Sequence, residues 1–142
     1  MEKTELKNKI AELINKPQMA SVATVKDSKP WVRYMMLNGQ PDLTLYTSTF
    51  SAARKVEQIR KNSNVDVILG GDEKNFKDPH VNIQATAEIC TDIETKTKCW
   101  DEHLSQFFSG PEDPNFSVIK ISPQVIEYTC GNAMKPEVYV VD

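Results

Sequence analysis

The sequence has no long apolar run, no strong excess of one charge and no paired cysteine motif, and each absence excludes a class of protein. No stretch approaches the roughly 20 apolar residues that a membrane-spanning helix needs. The first ten residues, MEKTELKNKI, lack the apolar core of a signal peptide. The 17 Lys and Arg residues against 20 Asp and Glu give a net charge of −3, which argues against a nucleic-acid partner. We therefore expect a soluble, cytoplasmic protein that binds neither membrane nor nucleic acid.

Cysteine and histidine are too few and too widely spaced to indicate a metal centre or a disulfide framework. Cys90, Cys99 and Cys130 form no CxxC pair, and only His80 and His103 could assist them. We expect three ordinary thiols in a reducing compartment and no metal site. The sequence also offers no Ser-His-Asp or Cys-His set that would indicate nucleophilic catalysis.

The length and the apolar patterns predict one domain, residues 1–142, with a mainly β (α+β) fold. Period-two alternation is clearest in His80 to Cys90, where the opposite row of polar side chains either faces water or lines a ligand groove. Such an antiparallel pattern closes most easily as a small barrel of about six to seven strands with flanking helices. Strands are predicted over 19–25, 31–37, 43–47, 65–69, 80–90, 116–121, 125–130 and 138–141, and helices over 3–14, 51–61 and from Thr91 towards Phe108.

Two further segments carry expectations that the structure can test. The polar stretch from Asp72 to Pro79, with Phe76 in its middle, is predicted to be a surface loop. Trp100 lies at helical spacing from Leu104, which favours packing in the core, although a contact with a ligand from a partner chain is the alternative.

The stretch from Arg33 to Lys55 contains the strongest functional signal. Ser51 is a favourable N-cap residue for the helix predicted behind it, and Arg54 and Lys55 lie in that helix's first turn. The positive end of a helix dipole normally favours acidic residues, so two cations there suit a bound anion such as a phosphate. A solvated helix face is the alternative interpretation. Four hydroxyl residues lie just before the cations: Thr47, Ser48, Thr49 and Ser51.

The order of these segments resembles the FMN-binding split-barrel superfamily of pyridoxamine 5′-phosphate oxidase. The run Phe108-x-Gly110-Pro111-x-Asp113-Pro114 before a strand is typical of the branch named after general stress protein 26. The resemblance covers nearly the whole chain. Its segments are, in order, MASVAT from Met19, PxxRxMM from Pro30, LYTS from Leu45, RKV from Arg54 and NxxV from Asn62.

The resemblance implies a split barrel and a homodimer that binds FMN in grooves between the two barrels. It also implies a role for each matching residue. Arg33 and the backbone of Tyr34, Met35 and Met36 would lie along the isoalloxazine ring and the ribityl chain. Thr47, Ser48 and Thr49, with Ser51 as an addition, would lie near the ribityl phosphate, and Arg54 and Lys55 would bind it.

By the same resemblance, the protein is expected to be an FMN-dependent oxidoreductase that acts on an unidentified small molecule or a reduced nicotinamide, in a stress-related role. It is not expected to oxidise pyridoxamine phosphate, because the Arg-Leu-His-x-Arg type segment of the true oxidase is absent. Glu127-Tyr128 is followed by Thr129 rather than the Trp of many relatives, so one contact with the flavin ring is expected to be missing. Catalytic residues are not assigned, and contacts of His80 with flavin remain open. The alternatives are a flavin-binding module without turnover, and a barrel that binds haem or a deazaflavin.

Overall fold

A computed structural model of the chain describes residues 1–71, 74–75, 77–131 and 133–142. The loop predicted from Asp72 to Pro79 lies partly outside this range, because Asp72, Glu73 and Phe76 are not described. The helices are α1 (Lys3–Ile14), α2 (Arg54–Lys61) and α3 (Ile93–Lys98), followed by a 3₁₀ helix (Glu102–Gln106). The strands are β1 (Gln18–Lys26), β2 (Lys29–Gly39), β3 (Leu45–Phe50), β4 (Asn64–Gly70), β5 (His80–Cys90), β6 (Phe116–Thr129) and β7 (Glu137–Val140).

The strands form one antiparallel sheet in the order β3-β2-β1-β4-β5-β6-β7. Strand β3 also pairs with β6, which closes β1 to β6 into a barrel and leaves β7 as an extra strand beside β6. The predicted mainly β barrel with flanking helices is therefore confirmed. No helix within the described ranges is long and apolar enough to cross a membrane.

The barrel interior is filled by alternate residues of its strands. Strand β5 runs from His80 to Cys90, as predicted, and buries every second side chain from Val81 to Ala87. The turn between β1 and β2 consists of Asp27 and Ser28, both at positive φ (53° and 61°), and this two-residue turn matches the twist of the flanking strands.

Helix α1 covers one side of the core. Its apolar stripe buries Leu6, Ile10 and Ile14, and Leu13 is partly buried against the same core. Ile14 lies against Gly39 at the end of β2, where an added Cβ would lie 2.7 Å from the Ile14 backbone oxygen. Only glycine permits this close approach between α1 and β2.

Two features of the prediction are wrong: the division of β6 into two strands and the single long helix from Thr91. The segments 116–121 and 125–130 form the single strand β6, because Pro123 lies at a bulge where one extra residue opposes Gln84 and Ala85. A bulge tolerates proline because its missing N–H is not needed for the ladder. The long helix predicted from Thr91 is two short ones. Asp92 caps α3 and Asp101 caps the 3₁₀ helix, and each carboxylate accepts a backbone N–H bond.

We predict that Gly39→Ala lowers the free energy of unfolding by about 1–3 kcal/mol, because the new Cβ forces α1 and β2 apart. Urea denaturation measures the change. Asn38→Ala is the matched control, since Asn38 is the neighbouring residue of β2 and its side chain is exposed. Equal stability of the two variants would show that the helix shifts without cost.

Candidate functional site

Helix α2 begins at Arg54, so the two predicted phosphate ligands are its first two residues. The predicted cap, Ser51, is wrong: Ala53 precedes the helix and provides no side-chain cap. The Ser51 hydroxyl instead donates to the Pro114 carbonyl at 2.9 Å and lies 2.6 Å from the Ser117 hydroxyl. Strand β3 continues to Phe50 in its pairing with β6, and this holds Ser51 at the strand end, away from the cap position.

Arg33 extends from β2 to the side of α2 through a small network of neutral groups. Its guanidinium donates to the Thr24 hydroxyl at 2.8 Å and to the Gln58 side-chain oxygen at 2.9 Å, and a longer bond of 3.3 Å reaches the Val22 carbonyl. The Thr24 hydroxyl donates to the same Gln58 oxygen at 2.6 Å. Thr24 and Gln58 are both buried, so the network fixes the guanidinium on a rigid support.

Arg33, Arg54 and Lys55, which we call the cation cluster, are close enough to influence one another's charge. Partial burial, and then the Arg54 charge, lower the pKa of Arg33. Partial burial, and then the Arg33 charge, lower the pKa of Lys55. None of the three forms an ion pair with a carboxylate of the described residues. The cation cluster therefore has positive charge that the described side chains do not neutralise.

The lowered pKa of Lys55 means that its positive charge reduces the stability of the folded chain. The folded chain disfavours the charged form of Lys55 relative to the unfolded chain, so charging this residue opposes folding. The penalty is full at pH values below the folded-state pKa and disappears as the pH rises through the unfolded value of 10.5. A bound anion would relieve this penalty.

Two cavities border the predicted site residues. The smaller one, about 290 Å³, lies between α2 and the β1–β2 turn, and Arg54 and Gln58 line it. The larger one, about 600 Å³, lies between the ends of β2 and β3 and the segment 98–104. Met36, Thr47 and Ser48 line the larger cavity. Two of the predicted hydroxyl residues, Thr47 and Ser48, therefore line a different cavity from the predicted cation Arg54.

The remaining predicted residues differ in what they can offer a ligand. Met35 is buried inside the barrel, so only its backbone could contact a ligand, as the resemblance implied. The side chains of Thr47 and Thr49 are buried on one face of β3, whereas the Ser48 side chain lies on the opposite face and is half-buried. Tyr34 is 77% exposed on the outer face of β2.

The outer face of β1, β2 and β4 is an exposed apolar surface. Met19 lies opposite Met36 in the β1–β2 ladder, and Ser21 lies between Tyr34 and Ile68 in the two ladders that β1 forms. An apolar surface that is continuous over three strands is typical of a protein contact. We call it the outer apolar face; its exposed members are Met19, Val32, Tyr34, Met36 and Ile68.

Sequence reasoning missed Thr24 and Gln58, which orient Arg33. Gln58 lies between the inward residues Val56 and Ile59 of α2, and a polar residue among buried helix positions was the available signal. Thr24 alternates with its neighbours in β1 and is fully buried, but this alternation carries no information about its partner across the barrel.

Other residues considered from sequence have structural roles. Trp100 packs edge-on against Phe116 with ring centroids 5.6 Å apart, and this supports its interpretation as a packing residue. His80 begins β5 and lies half-buried opposite Gly70. The three cysteines are unpaired. Among the described side chains, no group of three or more His, Cys, Asp or Glu residues could hold a metal ion.

A family model and a curated protein both match most of this chain. Residues 6–130 match the family model described as pyridoxamine 5′-phosphate oxidase. General stress protein 26 of Bacillus subtilis (strain 168) is 35% identical over 126 residues, which cover 89% of each chain.

Solved structures with the same fold include general stress protein 26 from Bacillus anthracis str. Sterne. It is 31% identical, with a TM-score of 0.80, and the match covers 96% of this chain and 98% of that one. A haem-binding protein from Mycobacterium smegmatis has a TM-score of 0.74 at 13% identity, covering 99% of this chain and 58% of that one. At that identity the likeness concerns the fold alone.

We predict that Gln58→Leu lowers the free energy of unfolding by about 1–3 kcal/mol, because Arg33 and the buried Thr24 hydroxyl lose a shared acceptor. Denaturant titration of the purified variant measures this. Glu57→Gln changes the neighbouring exposed residue and should stay within about 0.5 kcal/mol of the wild type. If Gln58→Leu costs no more than the control, the network does not stabilise the fold.

Proposed function

The chain belongs to the pyridoxamine 5′-phosphate oxidase family, in the branch that includes general stress protein 26, and we propose that it binds FMN and acts as a flavin-dependent oxidoreductase. The observation that carries this proposal is the cation cluster of Arg33, Arg54 and Lys55, which has no carboxylate partner among the described residues.

A phosphate monoester fits this donor set. Arg54 and Lys55 begin a helix, where backbone N–H groups and the helix dipole also favour an anion. Arg33 approaches from the adjacent strand, and its planar guanidinium is suited to phosphate oxygens. Partial burial of Arg33 and Lys55 strengthens their contacts, because fewer water molecules screen the two charges, whereas Arg54 is exposed.

The rest of the cofactor would lie along strand β2. From Arg33 to Met36 the strand rises about 10 Å, at about 3.3 Å per residue. This stretch leads from the cation cluster to the 600 Å³ cavity that Met36 lines. The ribityl chain and the ring would therefore follow the backbone of Tyr34, Met35 and Met36. Thr47 and Ser48, which the resemblance places near the phosphate, would then lie at the far end, because they line the larger cavity.

Bound FMN would supply the transfer of hydride or electrons, and the chain supplies position and electrostatics. The cation cluster would hold the phosphate end, and the Thr24–Gln58 network would keep Arg33 from rotating away. The side chains of Tyr34 and Met36 point outward from β2, towards any chain that covers the outer apolar face. The substrate would be a small molecule that enters the larger cavity, and a reduced nicotinamide is the proposed electron donor.

Members of this family are commonly dimeric, and we propose that the outer apolar face is the dimer contact. Val32 and Tyr34 are 71% and 77% exposed, which leaves large apolar side chains in water unless a second copy covers them. The proposed FMN site lies along the same strand, so the second copy would close it. We also propose a cytoplasmic location, which the three unpaired cysteines support.

Two measurements distinguish FMN from haem and from a deazaflavin. The first is a visible spectrum of the purified protein, and the second is chromatography of the chromophore that denaturation releases. Flavin absorption with FMN released supports the proposal. A Soret band would favour haem, the ligand named for the Mycobacterium smegmatis relative. Preference for a deazaflavin would replace the cofactor within the same barrel. Steady-state oxidation of NADH or NADPH then distinguishes an enzyme from a flavin-binding module without turnover.

We predict that Arg54→Ala combined with Lys55→Ala weakens FMN affinity at least about tenfold, or about 1.4 kcal/mol, because two charge-assisted contacts to the phosphate are lost. Titration followed by FMN fluorescence measures the affinity. Arg60→Ala combined with Lys61→Ala removes the same charges from the last turn of α2 and should leave the affinity within about twofold. Unchanged affinity in the first variant would refute the phosphate assignment.

We predict that Val32→Asp converts a dimer to monomers, because it places a charge on the outer apolar face, where Val32 is 71% exposed. Sedimentation velocity at several concentrations reports the oligomeric state. Ile93→Asp is the control, since Ile93 is an exposed apolar residue of α3 and is not part of that face. A variant that stays dimeric would place the dimer contact elsewhere.

A further inference from the structure

His103 lies in the wall of the larger cavity, near the start of the 3₁₀ helix. The Oδ1 atom of Asp101 lies 2.7 Å from the Nδ1 atom of the His103 ring, and it also accepts the backbone N–H of His103 at 3.1 Å. The next residue, Leu104, is buried against Phe108 and Phe116, which anchors this segment to the barrel. Asp101 therefore fixes the ring of His103 before any substrate enters the cavity.

The contact with Asp101 decides which ring nitrogen can serve a substrate. A carboxylate accepts hydrogen bonds and does not donate them, so the Nδ1 atom of His103 carries a proton. The hydrogen bond to His103 is also the main cause of the lowered pKa of Asp101, which keeps that carboxylate charged. The Nε2 atom is then the nitrogen that can give a proton to a bound molecule. The His103 side chain is 66% exposed, so water can return that proton.

The walls of the larger cavity suit a flat molecule. Tyr46 and Trp100 line the cavity together with His103, and the Trp100 ring is held edge-on against Phe116. Lys98 also lines it, with its ammonium 4.8 Å from the centre of the Tyr46 ring. Aromatic side chains bind planar rings through stacked or edge-on contacts. A quinone is a planar ring of this kind, and its reduction by two electrons adds a hydrogen to each of its two oxygens.

We propose that the larger cavity binds a quinone, that His103 is the proton donor in its reduction, and that Asp101 positions the His103 ring. This inference rests on the proposed function, because the electrons come from reduced FMN bound along β2. His103 gives the proton on Nε2 to one quinone oxygen, while the other oxygen takes a hydride, with its electron pair, from the reduced flavin. The quinone leaves as the hydroquinone and the flavin is left oxidised. His103 regains a proton from water, and a reduced nicotinamide reduces the flavin again.

The test follows oxidation of the reduced flavin in the FMN-loaded full chain by stopped-flow absorbance. Light in the presence of EDTA reduces the flavin without oxygen, so the natural electron donor does not enter the measurement. The quinone probe is duroquinone, because its fully methylated ring has no position open to addition of the Cys99 thiol that lines the cavity. The second probe is ferricyanide, which accepts single electrons and takes no proton.

His103→Gln should slow oxidation by duroquinone about hundredfold and leave oxidation by ferricyanide within about twofold, because only the quinone needs a proton. Asp101→Asn keeps a residue that caps the 3₁₀ helix, and it should slow the duroquinone reaction alone, by about tenfold. His80→Gln is the matched control, since His80 is the other histidine of the chain, begins β5 and does not line the larger cavity. It should change neither rate by more than about twofold.

A measurement without flavin examines the His103 ring directly. Because the chain has only 2 histidines, nitrogen NMR of the imidazole rings resolves His103, and the His80→Gln variant assigns its signals. The neutral His103 ring should carry its proton on Nδ1, and Asp101→Asn should weaken this preference. A neutral ring that carries its proton on Nε2 would overturn the inference, because Asp101 would then not hold the ring.

The outcomes separate this inference from the function on which it rests. A wild type that binds no FMN overturns both. A wild type that binds FMN, but whose reduced flavin is not oxidised by duroquinone, overturns the inference and leaves FMN binding intact. A His103→Gln variant in which both oxidation rates fall equally, or in which neither falls, also overturns the inference, because His103 then gives no proton to the quinone.

Discussion

The pairing of β3 with the first half of β6 is the constraint on which the site depends. Six residue pairs, from Leu45 with Ile121 to Phe50 with Phe116, close the barrel. The same pairing brings Ser51 against Ser117 and the loop that ends at Pro114. Helix α2 therefore begins only at Arg54, beyond the closed edge, and its first residues face Arg33 on β2. The position of the cations is a consequence of how the barrel closes.

The support of Arg33 explains how the cation cluster remains positive. A carboxylate at position 58 would orient the guanidinium as well as the amide of Gln58 does, but it would also cancel its charge. Thr24 and Gln58 are neutral, so they accept the hydrogen bonds of the Arg33 guanidinium without reducing the positive potential of the cation cluster. The cost is visible in the lowered pKa values of Arg33 and Lys55, since the folded chain holds like charges together in partial burial. Such an arrangement opposes stability and favours an anionic ligand.

Local patterns in the sequence predicted most of the fold, and contacts between distant segments account for the errors. Helix α1 and strand β5 have their predicted bounds because their periodicities are decided by their own residues. Pro123 indicated a turn, yet it lies within β6, because the bulge opposite β5 accommodates it. The sequence also predicted a helix with Arg54 and Lys55 in its first turn, although it placed the start at Ser51 rather than Arg54. It could not show that Gln58 meets Arg33, because that contact joins residues 25 positions apart across the barrel wall.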